Sequence, residues 1–170
     1  MRRILLVLAT MLAAVLLASG VALAVTTSFT NKHRITIPDE GNATPYPSTI
    51  QVSGFPEAST ITDVNLTLTR YSHTYPADVA MLLEHNGITV ELPSPGTSAD
   101  VKNITLVLDD DAATQLPTGI GDPLPSGTYD ADALTAFNGL DPNGTWNLSV
   151  VDLISPDKGK IGAWSLEITN

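Results

Sequence analysis

The chain of 170 residues contains no cysteine. Disulfides, thiolate metal centres and a cysteine nucleophile are therefore excluded. Histidine is nearly as scarce, with three dispersed residues that do not have the spacing of a metal site. A sustained helical period is also missing after the N-terminal segment, so a helical or α/β enzyme scaffold is not expected.

Positive charge is scarce as well. Eight Lys and Arg residues stand against 18 Asp and Glu residues, and two of the eight, Arg2 and Arg3, lie at the N-terminus. Without residues 1–24, which contain no acidic residue, six basic residues face 18 acidic ones and the formal charge is −12. Nucleic acids and anionic membrane surfaces are therefore disfavoured as partners, and cations are favoured.

The N-terminal segment is short and apolar. Arg2 and Arg3 precede an apolar run over residues 4–17, and small residues then lead to the sequence ALA at 22–24. This order is typical of a secretory signal peptide over residues 1–24 that is cleaved after Ala24.

An uncleaved membrane anchor is the alternative, because the apolar segment is just long enough to span a bilayer. A lipid anchor is disfavoured, since no cysteine can carry the lipid. The signal peptide instead predicts one secreted domain over residues 25–170, outside the cell or at its surface. We expect this domain to be monomeric and to have no membrane contact after cleavage.

The remaining sequence has the pattern of a β-protein. Thr, Val, Ile and Leu recur in short alternating runs that are broken by Gly, Pro, Asn and Asp, which predicts a jelly-roll-like antiparallel β-sandwich of about eight strands. Asn86-Gly87 predicts a hairpin turn. The predicted strands before the C-terminal region are 26–29, 35–37, 48–52, 61–71, 79–84, 88–92 and 104–108.

The stretch 136–168 predicts the closing part of the core. Trp146 begins a segment in which apolar and polar residues alternate, and Trp164 begins another. A turn that contains Pro and Gly lies between them at 155–159. The simplest interpretation is one hairpin that carries both tryptophans. Because each Trp is in line with Leu, Val or Ile, we expect core packing and not an exposed platform for sugars.

Acidic residues give the sequence its clearest candidate site. They follow or precede predicted strands, so the strand ends could gather them at one end of the sandwich, and several carboxylates together form the oxygen cage that Ca²⁺ prefers. The alternative is that they cap turns and face solvent. The predicted metal ligands are Asp78, Asp109, Asp110, Asp111 and Asp152.

Catalytic motifs are weak by comparison. Ser98, in the sequence GTSA at 96–99, superficially resembles the nucleophile segment of subtilisin-like proteases. A serine nucleophile needs a histidine base and an orienting carboxylate on a suitable scaffold, and the sequence supplies neither context. We therefore interpret Ser98 as a loop residue and His73 as a structural histidine, and we predict no catalytic residue.

A series of short motifs runs from about residue 28 to residue 169, almost throughout the predicted domain. In chain order they are IPD at 37–39, STIQVSG at 48–54, ITDVNLTL at 61–68, HTYPADV at 73–79, LEHNGITVEL at 83–92, LDDDA at 108–112, FNG at 137–139, NGTW at 143–146 and GAWSLEI at 162–168.

Together these motifs resemble the P domain, or P/Homo B domain, which follows the catalytic domain in proprotein convertases, kexin-like proteases and many bacterial subtilisin-like secreted proteases. Val79 stands where the family usually has Leu, and Asn86-Gly87-Ile88 departs from the family's hairpin. The resemblance implies a jelly-roll sandwich that packs against a protease domain and stabilises it without supplying catalytic residues.

No catalytic domain of this kind is present in the sequence. We therefore expect a non-enzymatic binding or stabilising module whose partner is a protein, such as a secreted subtilisin-like protease in trans. A carbohydrate-binding or surface-adhesion module is the alternative, on fold analogy alone. That the chain is itself a protease is the third hypothesis.

Overall fold

A computed structural model of the protein describes residues 24–170. The predicted signal peptide, or membrane anchor, lies almost entirely outside these residues. Within them, no helix is both long and apolar enough to cross a membrane. Strands and two short 3-10 helices, Pro76–Asp78 and Leu134–Phe137, make up the regular structure. The prediction of an all-β fold is confirmed.

The first sheet has seven strands and is organised around β5. One edge of β5 pairs with β12 and, further along, with β11, while its other edge pairs with β8. Strand β1 flanks β12, β2 flanks β11, and β9 lies parallel to β8. The strands are β1 (Thr26–Asn31), β2 (Ile35–Ile37), β5 (Asp63–His73), β8 (Val101–Leu108), β9 (Gly127–Tyr129), β11 (Gly159–Ile161) and β12 (Ala163–Thr169).

The second sheet has five strands and is organised around β10. One edge of β10 pairs with β4 and then with β3, and its other edge pairs with β6, which forms a hairpin with β7. Asn86 and Gly87 form the two-residue turn of this hairpin at positive φ, as the sequence predicts. The strands are β3 (Gly41–Asn42), β4 (Ser48–Val52), β6 (Val79–His85), β7 (Ile88–Leu92) and β10 (Gly144–Asp152).

The predicted hairpin of the two tryptophans is wrong. Trp146 lies on β10 and Trp164 on β12, and these strands belong to different sheets. The chain between them crosses from one sheet to the other and adds the short strand β11 on the way. The prediction that both side chains are core residues is confirmed, since each is 0% exposed.

The core lies between the inward faces of the two sheets. Alternate residues of β5 and β10, such as Leu66 and Leu148, are fully buried, while their neighbours along the strand are partly exposed. Phe137, from the second 3-10 helix, packs against Trp146 with ring centroids 4.9 Å apart. Burying such side chains stabilises the fold by about 1.5–3 kcal/mol each.

Candidate functional site

The five predicted metal ligands do not gather at one end of the sandwich. Asp109, Asp110 and Asp111 follow β8, whose antiparallel pairing with β5 brings them back to the beginning of β5. Asp78 and Asp152 lie instead at the other end of β5, roughly 33 Å away for its 11 residues. All five residues lie at or next to strand ends in the sequence, but the strand directions place the two groups at opposite ends of β5.

Asp63 completes an acidic cluster at the first end. One carboxylate oxygen each of Asp63, Asp109 and Asp111 lies within 4.8 Å of the other two. Burial raises the pKa of Asp63, and the negative charges of Asp109 and Asp111 raise it further. This mutual repulsion is what a bound cation would relieve. Sequence reasoning missed Asp63 because only the pairing of β5 with β8 reveals its neighbours.

Asp110 has a structural role beside this cluster. Its carboxylate accepts the backbone N–H groups of Ala133 at 3.2 Å and Thr135 at 2.6 Å. Asp110 thereby satisfies donors at the start of the Leu134–Phe137 helix, as a capping residue does. With both oxygens engaged, Asp110 is less suited to bind a metal than its two neighbours.

A buried pair joins the two sheets at the other end. His73 ends β5 and Asp152 ends β10, and 3.0 Å separates Nε2 of His73 from Oδ2 of Asp152, with both side chains 0% exposed. Neither atom has a well-aligned hydrogen bond, and the same is true of Oη of Tyr71. Nδ1 of His73 accepts the N–H of Tyr75 at 3.1 Å, so the ring proton of the neutral histidine is on Nε2, facing Asp152.

This arrangement does not fit a calcium site. Oδ1 of Asp152 accepts the N–H of Ile154 at 3.1 Å, and Oδ2 is in contact with His73. A cation would have to compete with the Nε2 proton of His73 for the same oxygen. The pair is better explained as a contact that holds the two sheets together, in agreement with a structural histidine at position 73.

Asp78 is buried near this pair, with 8% of its surface exposed. Burial raises the pKa of Asp78, the charges of Asp152 and Asp157 add to the rise, and His73 opposes it. Because the folded state then binds the proton more tightly than the unfolded chain, Asp78 favours folding at acidic pH. This contribution is lost as the pH rises through the folded-state pKa.

Ser98 and the buried histidines do not form a catalytic arrangement in the described chain. Ser98 lies in the loop between β7 and β8, as the sequence predicts. His73 contacts Asp152 and Tyr75. The ring nitrogens of His85 lie 3.1 and 2.7 Å from the carbonyl oxygens of Thr145 and Asp141. Each of these two histidines is therefore occupied by contacts other than a serine hydroxyl.

Comparison with known proteins relates the chain to bacterial proteases. Over 139 residues it is 32% identical to the Transglutaminase-activating metalloprotease of Streptomyces mobaraensis. The match covers 81% of this chain but only 14% of that protein, so the chain is similar to one segment of a much longer protease. No family model matches the chain.

One solved structure has a similar fold. The crystal structure of the Aeromonas sobria serine protease (ASP) with the chaperone ORF2 superimposes with a TM-score of 0.52 at 18% identity. The superposition covers 87% of this chain and 27% of the matched chain. The structure of the A. sobria serine protease itself gives a TM-score of 0.47 at 14% identity, with the same coverage. The fold of this chain is thus similar to about a quarter of a longer chain in the protease–chaperone complex.

Proposed function

We propose that the protein is an exported, non-catalytic β-sandwich of the P-domain type that binds a bacterial protease and stabilises it. The observation that carries the proposal is the 139-residue similarity to a segment that makes up 14% of a metalloprotease. A sandwich that accounts for so small a share of a protease is suited to an accessory role beside a separate catalytic domain.

The site geometry supports the same assignment. Among the described residues, the ring nitrogens of His73 and His85 contact groups other than Ser98, and the His73–Asp152 pair is inaccessible, at 0% exposure. A sugar-binding surface has less support, because Tyr46 is the one strongly exposed aromatic side chain in residues 24–170. Aromatic sugar platforms need accessible rings, so the adhesion alternative lacks a specific observation in its favour.

A chimera tests the accessory role. Residues 25–170 replace the matching segment of the S. mobaraensis metalloprotease, and the protease with that segment deleted serves as the reference. We expect the chimera to recover at least half of the secreted activity and the thermal resistance that the deletion loses, because the foreign sandwich restores the same packing surface.

A chimera that is as inactive and as labile as the deletion would contradict the accessory role. The purified chain alone is expected to leave casein intact. Casein cleavage that disappears in the Ser98→Ala variant would instead support the hypothesis that the chain is a protease.

The proposal includes a calcium ion at the cluster of Asp63, Asp109 and Asp111. Carboxylate oxygens are the ligands that calcium prefers, and these three converge within 4.8 Å of one another. The buried Oδ1 of Asn65 has no hydrogen-bond partner, while its Nδ2 donates to Asp63 at 3.1 Å. This amide oxygen lies beside the carboxylates and is a further oxygen ligand of the type that calcium binds. Burial and the charges of Asp109 and Asp111 raise the pKa of Asp63, and a bound calcium ion would offset both by favouring the ionised carboxylate.

Calcium is expected to stabilise the wild-type chain. With the affinity of extracellular calcium modules, about 1 mM calcium adds about 0.4–1.4 kcal/mol to the free energy of unfolding, or about 1–5 °C in Tm. Asp63→Asn should abolish this gain, yet melt above wild type in chelator because one repelling charge is removed. Scanning calorimetry in calcium and in chelator measures both effects.

Glu91→Gln is the matched control, because Glu91 is exposed on β7 of the other sheet. This variant should keep the full calcium shift. Equal melting temperatures of wild type in calcium and in chelator, or an equal loss of the shift in the Glu91 variant, would refute the calcium site.

A further inference from the structure

Positive charge is concentrated at one place on the outer face of the seven-stranded sheet. A cavity of about 400 Å³ lies there, and four of its six lining residues are Lys or Arg. These four are most of the six basic residues found after residue 24, in a region whose formal charge is −12. The lining residues are Lys32, Arg34, Arg70, Asn103, Lys160 and Gly162.

The four cationic groups are not neutralised by the protein. In the part of the chain that the structure describes, the two ion pairs are His73–Asp152 and Lys102–Asp100. Neither pair includes a residue of the cavity, although the chain has three times as many acidic as basic residues after position 24. Four like charges around one cavity repel one another, so a bound anion would lower their electrostatic energy.

The backbone is distorted where the cavity is formed. The register of the β5–β8 pair shifts on both sides of Tyr71, and Arg70 is the extra residue at the first shift. Arg70 and Asn103, on facing strands, both have a φ of 55°, a left-handed conformation that non-glycine residues seldom adopt. Such strain costs about 1–3 kcal/mol per residue and clusters at functional sites, and bulges redirect side chains.

Gly162 gives Arg70 its place in the cavity. A Cβ atom at position 162 would lie 2.5 Å from Nε and 3.1 Å from Nη2 of Arg70. The guanidinium group therefore lies against the bare backbone between β11 and β12. Arg34 lies opposite Gly162. Ile35 pairs with Ile161 in the antiparallel β2–β11 pair, so the next pair in the same register is Arg34 and Gly162.

We propose that this cavity binds a small polyanion that carries phosphate or sulfate groups. Two guanidinium groups offer the planar forks that bind such oxyanions in bidentate fashion, and the two lysines add point charges. A single carboxylate would neutralise one of four positive charges, whereas a polyvalent oxyanion can neutralise most of them. The volume suits a small molecule, since ligand sites occupy about 300–1,000 Å³.

Titration calorimetry with tripolyphosphate as the probe tests the site, at about 0.15 M salt, where long-range attraction is screened. We expect 1:1 binding with a Kd below about 1 mM, and binding of succinate that is at least about 10-fold weaker. The double variant Arg34→Gln, Arg70→Gln should lose at least about 10-fold in affinity, because two charge-assisted hydrogen-bonding groups are removed.

Two further variants separate the site from general charge effects. Gly162→Ala keeps every charge but displaces Arg70, and it should weaken binding several-fold. Lys102→Gln removes a cation outside the cavity that is paired with Asp100 at 3.5 Å, and it should change the affinity less than about 2-fold. Three results would each overturn the proposal. The Arg double variant could bind tripolyphosphate as tightly as wild type, Lys102→Gln could weaken binding as much as the double variant does, or succinate could bind as tightly as tripolyphosphate.

Discussion

Replacing Trp146 with alanine is expected to lower the free energy of unfolding by about 3–5 kcal/mol, the cost of truncating a large core aromatic. The indole is 0% exposed and stacks on the ring of His85, with centroids 4.0 Å apart and planes at 4°. Its Nε1 donates to the carbonyl oxygen of Pro142 at 3.2 Å. Truncation therefore removes packing, stacking and a buried hydrogen bond together. Urea unfolding followed by circular dichroism measures the change.

Ile120→Ala provides the control for this variant. Ile120 is 86% exposed, so its truncation should change the free energy of unfolding by less than about 0.5 kcal/mol. A loss below about 1 kcal/mol for Trp146→Ala would mean that the ring is not enclosed between His85 and Phe137 as described.

Replacing Asp152 with alanine is the second large effect that we expect, about 2–6 kcal/mol, because two N–H groups lose their partner and each such loss costs about 1–3 kcal/mol. The variant leaves the Nε2–H of His73 buried without its charged neighbour and the N–H of Ile154 without its acceptor. Since the pair links β5 of one sheet to β10 of the other, its loss weakens the contact between the sheets. Thermal and urea unfolding at neutral pH test the prediction.

Lys102→Ala is the matched control, because it breaks an ion pair whose side chains are 78% and 53% exposed. An exposed pair contributes less than about 1 kcal/mol. A double-mutant cycle of His73→Ala with Asp152→Ala should give a coupling energy of about 0.5–3 kcal/mol. Additive losses would show that the two side chains do not stabilise each other.

The sequence predicts strands well where one face of a strand is buried. Strands 48–52 and 88–92 are confirmed with their bounds, because strict alternation and the Asn86-Gly87 turn define them. The three-residue strand 35–37 is also confirmed with its bounds, because two Ile residues flank a Thr. The short strands β3, β9 and β11 are missed, since none of them has two apolar residues in alternation. The hairpin of the tryptophans failed for another reason: alternation tells which residues face the core but not which strand lies alongside.

The candidate sites show the same limit. Acidic residues near strand ends are visible in the sequence, and Asp109 and Asp111 do lie together. Their neighbour Asp63 lies 46 positions before Asp109 in the sequence, so only the pairing of β5 with β8 shows that it belongs to the cluster. The basic cavity combines residues from four separate stretches of the chain. One local signal did point to it: the alternation of β5 changes phase at Arg70, where a regular strand would not.

The position of β12 has a consequence for how the chain acquires its structure. β12 lies inside the seven-stranded sheet, between β1 and β5, with Thr26 paired to Thr169. The first strand of the described chain therefore has no sheet to join until residue 169 has left the ribosome. This sheet is therefore completed only after β12 has been synthesised, and pairings of such long range predict slow folding, on the scale of milliseconds to seconds. Until then, the unpaired strand edges of the nascent chain stay accessible to proteases.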